Sequence, residues 1–187
     1  MRCGAVLLAA GRSSRMVGGH KLLMPWRGKA LVAHAADAAL AAGLPLLVVL
    51  GHQAAAVREA LGNRAMSFVT AEDHVLGLAH SLGAGLRAAP EDWDAALVML
   101  GDMPRIEPAL LATLAATDGV AAPVWAGQRG NPVRWPRAHW PALLALQGDA
   151  GARHLFDGLA VTLVPAPSDA ILADVDTAEA LGALRRT

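Results

Sequence analysis

The chain has a single cysteine, Cys3, in 187 residues. That excludes an internal disulfide and a cysteine-based metal cluster. Only two lysines are present, Lys21 and Lys29. Sixteen basic and sixteen acidic side chains cancel, so the broad positive footprint of a nucleic-acid binder is missing. The longest strongly hydrophobic run, Leu44 to Leu50, is far shorter than the roughly 20 residues that cross a bilayer, so no membrane partner is expected. Nothing like a secretory leader follows Met1-Arg2, and a cytoplasmic chain is expected. Two sequence signatures are absent as well. Gly28-Lys29 is followed by alanine with no glycine at position 23, which rules out the P-loop, and no histidine pair has the H-E-x-x-H spacing of a zinc site.

What is present is a chain of 55% hydrophobic and 17% charged residues, much of the apolar share being alanine. The length suits one domain, 1–187, large enough to bury a real core. Strand-like and helix-like segments alternate. Strands are expected at 5–10, 45–50, 66–70, 94–100, 120–125, 132–135, 161–164 and 171–175. Helices are expected at 29–42, 53–61, 77–89, 108–116, 141–147, 150–156 and 177–185. Repeated β-α-β order predicts an α/β fold, with a mainly parallel, Rossmann-like sheet covered by helices on both faces in three layers. In such sheets ligands bind beyond the C-terminal strand edges.

The first such edge carries the most informative stretch, Val6 to Lys21. An apolar strand breaks at Gly11 into small residues that hold Arg12 and Arg15 and close on Lys21. Glycine and serine let successive backbone N–H groups approach an anion, and the three cations supply compensating charge. The anion that fits best is the phosphate chain of a nucleotide. The competing reading is a surface loop whose arginines are only solvated. A near-match to a dinucleotide fingerprint at Gly83-Ala84-Gly85 lies inside a helical run rather than after a strand, which argues against that role.

Two acidic positions complete the pattern. Gly101-Asp102 ends the strand 94–100, placing a carboxylate at the same sheet edge as the glycine turn. Magnesium takes oxygen ligands, one or two carboxylates plus substrate phosphates, so Asp102 is a candidate ligand; a turn or helix-cap role is the alternative. In Asp174-Val175-Asp176-Thr177, an extended backbone would turn both carboxylates to one side, while one of them, or Thr177, is suited to capping the helix that follows.

Taken in order, these residues resemble the MobA-like nucleotidyltransferases. The resemblance rests on Leu8-Ala9-Ala10-Gly11-Arg12-Ser13-Ser14-Arg15-Met16 with Lys21, on Gly101-Asp102-Met103-Pro104 and on Asp174-Val175-Asp176-Thr177. Lys21-Leu22-Leu23-Met24-Pro25-Trp26-Arg27-Gly28-Lys29 and Gly148-Asp149-Ala150-Gly151-Ala152-Arg153 are most similar to the molybdenum cofactor cytidylyltransferase branch. The resemblance implies the nucleotide-diphospho-sugar transferase type of fold and a magnesium-dependent transfer of CMP from CTP to a molybdopterin-type phosphate. By that resemblance Leu8 to Ser14, Gly77 and Ser81 bind the nucleotide, Arg15 faces the leaving pyrophosphate and Lys21 the α-phosphate. Asp102 with Asp174 or Asp176 holds Mg2+, and Arg129, Asn131, Asp149 and Arg153 line the second-substrate side. An apo-molybdoenzyme or its chaperone is the partner it implies. Three positions depart from the pattern: Val17 where glycine is common, Asn131 where histidine is common, and Glu72-Asp73 where an asparagine-proline pair is common.

Other acceptors, such as a sugar phosphate, fit the same chemistry. An NAD(P)-binding oxidoreductase on a related sheet and a non-catalytic partner protein are the readings from other classes. The histidines and Trp93, Trp125, Trp135 and Trp140 are expected to pack rather than to act.

Overall fold

The computed structural model describes residues 1–12, 20–149, 152–174 and 182. Its centre is β1 (Cys3–Ala9), in which every residue is buried. A parallel strand covered on both faces must read as a continuous apolar run, and this one does. After β1 come a two-residue hairpin, β2 (Pro25–Trp26) and β3 (Lys29–Ala30), then α1 (Leu31–Ala41), β4 (Leu46–Leu50), α2 (Ala54–Leu61) and β5 (Ser67–Thr70). The chain continues through α3 (Leu78–Ala88), β6 (Ala95–Leu100), α4 (Pro108–Ala116) and β7 (Val120–Trp125). Next are β8 (Gln128–Arg129), β9 (Val133–Pro136), α5 (Trp140–Leu144) and β10 (Val161–Pro165).

The main sheet runs β10-β7-β9-β6-β1-β4-β5, with β8 paired to β7. β1 is parallel to both β4 and β6, while β9 is antiparallel between β6 and β7. Alternation along β1 builds the three layers. Ala5, Leu7 and Ala9 join α1, α2 and α4 in one core, and Val6, Leu8 and Ala10 join α3 and α5 in the other. The chain leaves β1 towards β4 and β5, then returns to place β6 on β1's other side. That reversal puts a topological switch point between β1 and β6, where doubly wound sheets take their ligands.

Several expectations need correction. Lys29 and Ala30 belong to a small hairpin rather than to the first helix, because Arg27 and Gly28, at φ 44° and 83°, turn the chain back on itself. Segment 152–156 forms a 3₁₀ turn instead of an α-helix. The strand expected at 171–175 is not formed over its described residues. There the Ser168 hydroxyl accepts from the Ala170 N–H at 3.4 Å and starts a single turn, Asp169–Ile171. The Ile171 carbonyl then accepts from the Asn131 N–H at 3.0 Å, so this backbone is bonded to a loop rather than to a sheet edge. The extended geometry expected for Asp174 to Asp176 lies outside the described residues beyond Asp174. Trp93, Trp135 and Trp140 are buried in the core, and Trp125 is 39% exposed beside the β7–β8 turn, which leaves the expected interface packing open to it. The helix expected at 177–185 lies outside the described residues except for Gly182. Among the described residues no helix is long and apolar enough to cross a membrane.

Candidate functional site

Three separate stretches of sequence meet at the switch point. β1 and β6 lie in register, Leu8 opposite Leu100, so Gly11 and Asp102 leave the sheet side by side. The Gly101 N–H donates to the Leu8 carbonyl at 3.0 Å, and a Cβ at Gly101 would stand 3.1 Å from that oxygen. A side chain here would thus press on the β1 backbone as β6 ends. Leu22 packs into the same gap, 3.3 Å from where that Cβ would be, and is 3% exposed. Anchoring Leu22 carries its neighbour Lys21 to the sheet edge. Lys21 Nζ donates to Asp102 Oδ2 at 2.5 Å, with both side chains largely buried.

Asp102 is the most informative group of the site. Its Oδ2 is held by Lys21, yet its Oδ1 is buried without a hydrogen-bond partner. An unsatisfied buried carboxylate oxygen is costly unless a ligand completes it. Asp102 does sit in a turn, closed by the Met103 N–H donating to the Leu100 carbonyl at 3.4 Å, while the helix-cap alternative is not what the structure shows. The N-cap of α4 is Glu107, without a side-chain capping bond, and Asp102 makes none of the bonds a cap requires.

Around this pair lies a cavity of about 370 Å³. Ala10, Gly11, Arg12, Lys21 and Asp102 form one side, and His74, Val75, Gly77, Ser81 and Asp149 form the other. The opposite wall is built where α3 begins. Gly77 has φ 116°, and a Cβ there would lie 2.3 Å from the Gly148 carbonyl carbon. The Ala79 N–H donates to the Gly148 carbonyl at 3.0 Å, and the Leu78 N–H to Asp149 Oδ1 at 3.3 Å. Only glycine at 77 lets segment 148–149 close over the first turn of α3.

The structure thus brings together Leu8, Ala10, Gly11, Arg12, Lys21, Gly77, Ser81 and Asp102, and it adds Asp149 to the same cavity. Ala9 is fully buried in the core behind it. Asn131 and Asp174 line an adjoining apolar cavity of about 220 Å³, and Arg129 lines a third, of about 320 Å³. Ser13, Ser14, Arg15 and Asp176, together with the side chain of Arg153, lie outside what is described. His74 lies in the segment 70–81, which the family resemblance implies encloses base and ribose, though its residue type alone did not mark it. Its place in the crossover from β5 to α3 was the usable signal, and its imidazole packs over Gly51, whose Cβ would meet it at 2.8 Å.

Two further histidines are electrostatically perturbed. His20 stacks on His52 with centroids 5.5 Å apart. Burial lowers its pKa, and the nearby His52 adds to the shift. His34 is lowered as well, mainly by burial, against an opposing hydrogen bond with the Trp26 carbonyl.

A mixed α/β sheet with a crevice at its switch point defines a doubly wound α/β protein of the kind that takes a ligand there. The profile of the MobA-like NTP transferase domain matches residues 5–180, and the chain belongs to that family of nucleotidyltransferases. Rv0371c from Mycobacterium tuberculosis is similar over the whole chain, with 30% identity and a TM-score of 0.90, covering 100% of this chain and 98% of that one. A manganese complex of Rv0371c matches with 28% identity and a TM-score of 0.84 over 100% of both chains. Among curated relatives, the bifunctional protein GlmU of Desulfotalea psychrophila is 33% identical over 139 residues, 71% of this chain and 40% of its own length. The chain spans less than half the length of the curated relatives it matches.

Proposed function

We propose that this nucleotidyltransferase moves CMP from CTP to the phosphate of a molybdopterin-type cofactor and releases pyrophosphate. The observation that carries the reading is the buried Lys21–Asp102 pair, with Asp102 Oδ1 unsatisfied, at the switch-point cavity. A cation and a carboxylate placed together suit a chelated polyphosphate, which presents both anionic oxygens and a metal. The assignment to CTP and a molybdopterin-type acceptor is supported by the Leu8-to-Gly11 and Gly148-to-Arg153 elements. The first contributes Ala10 and Gly11 to the cavity and the second contributes Asp149.

Magnesium fits these residues. It takes hard oxygen donors, keeps waters and shares substrate phosphates, and Asp102 offers an oxygen without another partner. Asp102 would hold the ion with Asp174 or Asp176, and the ion would neutralise charge on the triphosphate.

The chain's own residues do the rest by position. Nucleotide entry sets phosphate oxygens against Asp102 for the Lys21 ammonium, which then faces the α-phosphate. Gly11 and Arg12 border the polyphosphate, with Ser13, Ser14 and Arg15 following in sequence. Gly77 and Ser81 close the nucleoside side. A phosphomonoester is already a competent nucleophile near neutral pH, so no general base is needed. Holding attacking and leaving oxygens in line can supply roughly 7–11 kcal/mol of barrier reduction, alongside the offsetting of developing charge. The product would pass to an apo-molybdoenzyme or its chaperone.

The test is pyrophosphate release from each of the four ribonucleoside triphosphates against a molybdopterin-type acceptor and a panel of sugar phosphates. Release that requires CTP and the molybdopterin-type acceptor is expected. Release with a sugar phosphate alone would replace the acceptor assignment, and NADPH binding that CTP fails to displace would replace the reaction class.

A further inference from the structure

Three cavities run side by side from the switch point. The nucleotide cavity shares Leu8, Leu78 and Leu100 with the apolar one, and the apolar one shares Asn131, Val133 and Phe156 with the third. Lys21 borders only the first and Arg129 only the third. An acceptor whose phosphate attacks beside Lys21 therefore crosses an apolar stretch before it meets Arg129.

Among the described arginines packed over an aromatic ring, Arg129 is the one that lines this row of cavities. It sits in the two-residue strand β8, forms no ion pair with a described residue, and lays its guanidinium over the Phe156 ring, 4.6 Å from the centroid. Phe156 in turn stacks on Trp135, with centroids 5.3 Å apart and planes at 18°. Trp135 is 1% exposed in the middle of β9. A ladder of three side chains thus ties a surface cation to the core. An untethered arginine loses rotamer freedom when it binds, and packing it in advance removes part of that loss. Its donor fork stays available for two parallel bonds to an anion.

We infer that Phe156 is a positioning residue of the acceptor site, holding Arg129 to receive an anionic group of the acceptor other than the attacking phosphate. The inference rests on the proposed reading only in placing the acceptor beyond the nucleotide. It defines the acceptor class as a phosphomonoester with an apolar body and a second negative group.

Phenyl phosphate and 4-carboxyphenyl phosphate differ only in such a group. Their dissociation constants are to be measured by titration, with and without magnesium and α,β-methylene-CTP. The native protein should bind the carboxylated probe roughly ten-fold more tightly, the worth of a charge-assisted hydrogen bond. Arg129→Gln should abolish that preference. Phe156→Leu should cut it about two- to five-fold, the worth of the cation–π contact, and Phe156→Tyr should retain it. Phe156→Met, equally without a ring, serves if the leucine variant does not fold. Equal binding of the two probes by the native protein would overturn the inference. So would a preference that survives Arg129→Gln, or failure of both probes to bind. Failure of the CTP analogue to bind overturns the proposed function instead, and the nucleotide-free titration still decides the role of Phe156.

Discussion

Asp102 has two oxygens in different circumstances, and its proposed role follows from that difference. Oδ2 is neutralised by Lys21, while Oδ1 is buried and unmatched. Asp102→Asn keeps the shape and removes the charge, so turnover should fall at least about 100-fold in a pyrophosphate-release assay, with little change in the Michaelis constant for the acceptor. His20 is coupled to pH by a separate route. Burial lowers its pKa below the ordinary 6.5, so the fold favours the neutral ring. Its contribution is complete above the unfolded value and shrinks as pH falls from there towards the folded value. The thermal midpoint should therefore drop between about pH 7 and pH 5, and His20→Asn should shallow that slope; an unchanged slope would remove His20 from the account. Asp102 was legible because it follows the glycine that ends an apolar strand, and Lys21 because it is the cation that closes the glycine-rich segment after the first strand. Phe156 was not legible, since its role depends on Trp135 and Arg129, twenty-one and twenty-seven residues earlier in the chain.

Among the elements, the parallel strands were the most readable, and the reason is burial on both faces. β1 and β4 are apolar without interruption and are found within two residues of their expected bounds. The segment at 171–174 was misread because an apolar pair beside alternating aspartates looks extended, whereas a serine cap and a bond from Asn131 decide its course. Such bonds leave no periodic trace. α3 shows the reverse case, where a motif that looked like a cofactor fingerprint serves packing. A Cβ at Gly85 would stand 2.7 Å from Val6 Cγ1 and 2.8 Å from Val49 Cγ2, so glycine is what lets this helix approach the sheet. Gly85→Ala should then destabilise the protein by about 1–3 kcal/mol through overpacking. That loss runs against the gain of roughly 1 kcal/mol expected from helix propensity. A urea midpoint that rises would show the close approach to be unimportant.

For the molecule as a whole, topology does what no local segment does alone. Placing β6 beside β1 after the excursion through β4 and β5 brings residues 11, 21 and 102 to one crevice, though they lie far apart in sequence. The same order sets the apolar and Arg129 cavities next to that crevice, giving an acceptor a path across the sheet edge. The MobA-like family assignment accounts for the fold, and the proposed chemistry needs the crevice to hold one chelated triphosphate. A crystal structure of the protein with magnesium and α,β-methylene-CTP tests this most directly. The account predicts the triphosphate between Lys21 and Asp102, with the metal on an Asp102 oxygen. Nucleotide bound away from that pair, or bound there with Asp102 still turned only to Lys21 and no metal on it, would contradict the account.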